Sequence, residues 1–149
     1  MSARHGPILA LLTLLFFLRV LGQALVAFLS VSRLPAMEQW HSGLLPYPIL
    51  LTIQLVMLVV MVKIVMDISR GAGFFAKQRP GWSRFLVSFS AIYVGAMVLR
   101  YVLSMISQPE MRWLGGTIPI LFHFVLAGFL FTWGRFHSQR ATFARVVNA

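Results

Sequence analysis

The chain has no cysteine, and only three of its 149 residues are acidic: Glu38, Asp67 and Glu110. Without cysteine there is no disulfide scaffold, no thiolate metal site and no thiol nucleophile. Charged residues make up 11% of the sequence, where a soluble domain carries about 25%. That scarcity excludes a disordered chain and almost any water-soluble domain. Period-two alternation is missing from the apolar runs, so the strands of a transmembrane β-barrel are excluded too. Internal repeats and low-complexity segments are also absent.

What is there is apolar and basic. Hydrophobic residues make up 59% of the chain, and thirteen Lys and Arg give a formal charge of +10. A transmembrane helix needs about 20 mainly apolar residues to cross about 30 Å of hydrocarbon. Four stretches qualify, about residues 8–31, 47–68, 85–106 and 117–136. Pro46 and Pro48 stand where a helix starts without needing their missing N–H. Arg70-Gly71-Ala72-Gly73 and Pro80-Gly81 bracket one loop, and Pro109 with Gly115-Gly116 brackets another. Residues 1–149 therefore read as one all-α integral membrane domain of four transmembrane helices. With short loops, the expected arrangement is an antiparallel, up-down-up-down bundle.

The bases orient it. Arg4, Arg70, Lys77, Arg79, Arg84, Arg135, Arg140 and Arg145 fall on one side, and only Arg33 and Arg112 on the other. Short basic loops stay in the cytoplasm, so both termini are expected inside a cell (inner) membrane. The basic start of the first span resembles a secretion signal, but its apolar run continues to Val31. Its removal would also set the basic middle loop against the orientation rule, so the span is expected to remain. The basic tail 137–149 carries Phe143, Val146 and Val147 and is expected to lie along the inner surface.

Arg70, Lys77, Arg79 and Arg84 share the middle loop with Phe74, Phe75 and Trp82. Bases mixed with aromatics suit lipid headgroups, at about 1 kcal/mol per base near an anionic surface. The loop glycines lack the strand and spacing of a nucleotide-binding motif. Charge spread over membrane-proximal loops does not suit nucleic acid.

Ionisable groups inside a bilayer are costly and point to function. Lys63 and Asp67 lie four apart near the inner end of span two and read as a structural ion pair. Arg19 lies some 18 Å deep and cannot snorkel out, and Gln23 is one turn further on the same face. Arg100 lies roughly 10 Å from the outer end of span three, with Ser104 and Gln108 outward of it and Tyr93 two turns inward. Gln54 and His123 lie at similar depth on the other spans. All four helices thus bring a polar group to the outer half, where no span carries an acid. Arg19 and Arg100 need compensation. It can come from Glu38 and Glu110 in the outer loops, from an acid of another subunit, or from an anionic ligand.

The expected function is that of a non-catalytic membrane protein binding an anionic or quinone-like lipid ligand. Arg19 and Arg100 would hold an oxyanion bidentately, and Gln23, Gln54 and His123 would line the pocket and orient the head. The alternative is a small accessory or assembly subunit of a larger membrane complex, held by intramembrane charge pairs. Ala91 and Gly95 form a small-xxx-small face, about 140° from Arg100, for another subunit or a homo-oligomeric copy. No cofactor or metal is predicted. A b-type haem ranks last: His123 and His137 are about 21 Å apart on nearly one face with Ala127 and Gly134, and would need His41 and His5 as second ligands. Catalysis has little to draw on, since paired carboxylates and nucleophile–base neighbours are missing.

Overall fold

The computed structural model describes residues 5–29, 34, 46–107 and 117–147, with side chains described except at 80, 117–119 and 139–147. The described secondary structure is helical: α1 (His5–Leu29), α2 (Tyr47–Arg70), α3 (Pro80–Ser107) and α4 (Thr117–Val147). All four are long and apolar enough to cross a membrane. The shortest, α2, has 24 residues and spans about 36 Å. The helix α4 runs through His137 to Val147 without a break.

Local chemistry sets the ends. Pro46 precedes α2 and Pro48 sits in its first turn, while the Pro46 carbonyl accepts the N–H groups of Ile49 and Leu50 at 3.1 Å. At the other end Gly71 takes φ 64, in the left-handed region that glycine enters without a Cβ clash. There the Gly71 N–H reaches Ile68 O at 3.2 Å and the Ala72 N–H reaches Asp67 O at 3.1 Å.

Large apolar side chains cover the outside, among them Val59, Ile92 and Ile106, each more than two-thirds exposed. Between lipid-facing helices the hydrophobic effect offers little, because acyl chains are as apolar as leucine. Packing then rests on dispersion, small residues and interhelical hydrogen bonds. The contacts follow that rule. A Cβ on Gly134 would lie 2.9 Å from Val87 Cγ2 and 3.2 Å from the Val87 backbone nitrogen, so α4 meets the α3 backbone there. Nearby, the Ser90 hydroxyl donates to Ala127 O at 2.9 Å. Gly6 of α1 faces Ser69 of α2, and Phe28 meets Tyr47 at their opposite ends. The α1–α4 contact runs from His5 beside Phe136 to Arg19 over Phe122.

The substantial interfaces are thus α3–α4, α1–α4 and α1–α2, whereas α2 and α3 share none of comparable extent among the described residues. The core gathers Leu9, Phe16, Met61, Ile64, Ile68, Leu86, Phe129, Trp133 and Phe136. Most of these lie toward the end carrying loop 71–79, called here the loop end.

Candidate functional site

At the loop end, Lys63 Nζ lies 2.5 Å from Asp67 Oδ1, so the expected pair forms. Asp67 does more than pair. Its other oxygen accepts the Phe75 N–H at 3.2 Å, which ties the loop back onto α2. Gly73, at φ 111, passes so close that a Cβ there would overlap the Asp67 carboxylate. That clamp was not visible in the i,i+4 spacing, which speaks only for the helix.

Of the four loop bases, Lys77 and Arg79 line a cavity of about 650 Å³ with Gly71, Gly73 and Gln78. Arg70 and Arg84 are exposed and do not line it. Arg79 stacks on Phe74 at 4.5 Å and reaches Trp82 at 5.9 Å. Its backbone N–H donates to His137 Nδ1 at 3.2 Å. The rings of Trp133, Phe136 and Trp82 lie 5.6, 5.5 and 6.4 Å from that imidazole. Ala127 and Gly134 on the histidine face receive α3. His41, Glu38 and Glu110 lie outside the described residues.

The far end holds the remaining candidates. Gln54 Nε2 donates to Gln23 Oε1 at 3.2 Å, and both amides are buried, so these two residues first of all join α2 to α1. His123 takes a different partner: its Nδ1 lies 2.5 Å from the Tyr93 hydroxyl, joining α4 to α3. The two rings meet edge-on at 5.6 Å. Both Arg19 and Arg100 lie within electrostatic range of Tyr93 and of His123. The half-buried Arg100 has no acid beside it among the described residues, since Asp67 is the single acid there and is held at the opposite end. Tyr93 is the site residue that sequence reasoning underweighted. Its i,i+7 relation to Arg100 marked the shared face, but only the packing of α4 reveals its bond to His123.

Tyr93 also borders a groove of about 370 Å³ between α2 and α3. Val56, Met57, Val60, Met61 and Ile64 form one wall, Phe89 and Tyr93 the other, and Leu126, Phe129, Leu130 and Trp133 of α4 the floor. Phe85, Phe89 and Tyr93 stack in turn along α3, at 6.0 and 6.1 Å. No charged side chain lines this groove. Tyr93 at the edge of this apolar groove is bonded to His123, and both lie within electrostatic range of two guanidinium groups. That set can hold a head rich in acceptor oxygens while its apolar remainder stays among hydrocarbon.

Comparison of the chain with known protein families, with curated proteins and with solved structures gives no match.

Proposed function

We propose that the protein binds an anionic lipid in the membrane, with the lipid head at Arg19, Arg100, Tyr93 and His123. The carrying observation is the Tyr93–His123 pair at the groove, in range of two guanidinium groups. Charge complementarity favours an oxyanion over a quinone, and Arg100 supplies it without a neighbouring acid. The four helices would cross the inner membrane up and down, with both termini in the cytoplasm. Contacts of Gly6 with Ser69 and of Phe28 with Tyr47 support an antiparallel α1–α2 pair. The eight bases assigned to the inner side support the orientation.

Native mass spectrometry of the purified protein tests this. Arg100→Gln should lower occupancy by an anionic lipid roughly tenfold or more, since hydrogen bonds to charged groups contribute about 1.5–3 kcal/mol. Tyr93→Phe should have the smaller effect. Loss of a neutral quinone on Tyr93→Phe, with Arg100→Gln silent, would replace the anion with a quinone. Retention of the same bound species by both variants would sink the reading.

A second reading, an assembly subunit, rests on Gly95. Gly95 and Ala91 are exposed, and nothing lies within 4 Å of where a Gly95 Cβ would be. This face of α3 is therefore unused among the described residues and open to another subunit or a second copy. Gly95→Leu should then release a co-purifying partner or shift the oligomer to monomer, leaving lipid occupancy unchanged.

A further inference from the structure

The groove between α2 and α3 has a shape that narrows its occupant. Val56 and Ile64 bound it on α2, about 12 Å apart along the helix axis. Spread over that length, about 370 Å³ leaves a mean cross-section of about 30 Å². A polymethylene chain, about 4–5 Å across at carbon contact distances, needs roughly 15–20 Å². The groove has room for one hydrocarbon chain along its length.

We propose that this groove holds a single acyl chain of the same anionic lipid, running from Tyr93 along Phe89 and Phe129 to Trp133. This rests on the head assignment above and adds where the tail goes. A chain leaving the bilayer for the groove gains no hydrophobic free energy, because both surroundings are apolar. What it gains is contact with the stacked Phe89 and Tyr93 rings and with the α4 floor, which an unfilled groove would forfeit. The charged head then decides which lipid supplies the chain. Selection by the head and seating by the groove are separate functions of one site.

Two adjacent valines separate them. Val60 lines the groove and Val59 does not, although both are exposed on α2. The test places the full chain, with Trp133 as the sole tryptophan (Trp40, Trp82 and Trp113 each replaced by Phe), in nanodiscs. These contain phosphatidylglycerol or phosphatidylcholine brominated at mid-chain, and quenching of Trp133 fluorescence is measured. Brominated phosphatidylglycerol should quench Trp133 more than brominated phosphatidylcholine. Val60→Phe should abolish most of the quenching, Val56→Phe should do the same from the next turn, and Val59→Phe should leave it intact. Arg100→Gln should erase the preference for phosphatidylglycerol while keeping the weaker quenching common to both lipids.

Absence of quenching in the unsubstituted groove overturns the proposal, as does equal quenching in Val60→Phe, Val56→Phe and Val59→Phe. Uniformly low quenching, with a partner protein released by Val60→Phe, would assign the groove to that partner instead. If Arg100→Gln keeps the phosphatidylglycerol preference while Val60→Phe abolishes quenching, the head assignment fails and the chain site stands.

Discussion

Asp67 and Arg100 are both charges within the apolar helices, and they are treated in opposite ways. Asp67 is enclosed: Lys63 pairs with one oxygen, the Phe75 N–H reaches the other, and Gly73 presses against the carboxylate. Around it, Trp82, Trp133, Phe136 and His137 pack ring against ring. Arg100, half-buried on α3, lies two turns beyond Tyr93, which borders the apolar groove. Its charge acts on Tyr93 and His123 but meets no described acid. The loop end is built to be closed. At the far end, Arg100 and the Tyr93–His123 pair have no described acid among them.

The sharpest way to break this contrast is at the α3–α4 contact on the closed side. Gly134→Leu drives a side chain into Val87 and Leu86, where even a Cβ is too close. It should destabilise the protein by about 3 kcal/mol or more, read as a large drop in thermal midpoint in detergent. Next comes Gly73→Ala, which combines overlap with Asp67 and a positive φ. The expected loss is about 1–3 kcal/mol, with faster hydrogen exchange at the Phe75 amide. Unchanged exchange there would show that the clamp on the loop is not needed.

Gln54→Leu probes the open end and should matter less. It removes one interhelical hydrogen bond, which averages about 0.6 kcal/mol in membranes. It also removes the buried Oε1, which has no hydrogen-bond partner among the described residues. The thermal midpoint should move only slightly. Arg100→Gln should move it least in ligand-free protein, because no described acid loses a partner. If instead the midpoint falls as far as for Gly73→Ala without ligand, the charge is part of the fold and the contrast between the ends collapses.

The helices and their ends were legible because hydrocarbon thickness and proline chemistry act locally. Pro46, Pro48 and Gly71 mark boundaries wherever the helix goes next. The depth reading also placed Gln23 with Gln54, and Arg19 and Arg100 with His123. It could not say which of them would bond. Gln23 and Gln54 use each other, whereas His123 takes Tyr93. Those choices depend on how each helix is rotated about its axis, and helices apolar on nearly every face carry little rotational signal. At Gly134 the smallness was evident, but the α3 neighbour that needed the room was not, for the same reason.

The order of contacts has a consequence for how the chain is made. Contacts run α2 to α1, α1 to α4, and α4 to α3, with no substantial fourth interface to close the ring among the described residues. Two of these joins lie within sequence-adjacent pairs, so each half can assemble as soon as its second helix has entered the bilayer. The α1–α4 seam, with Leu12 packed against Gly128 and Arg19 over Phe122, is where the finished halves meet. The α2–α3 opening is the side that these three joins leave unsealed among the described residues.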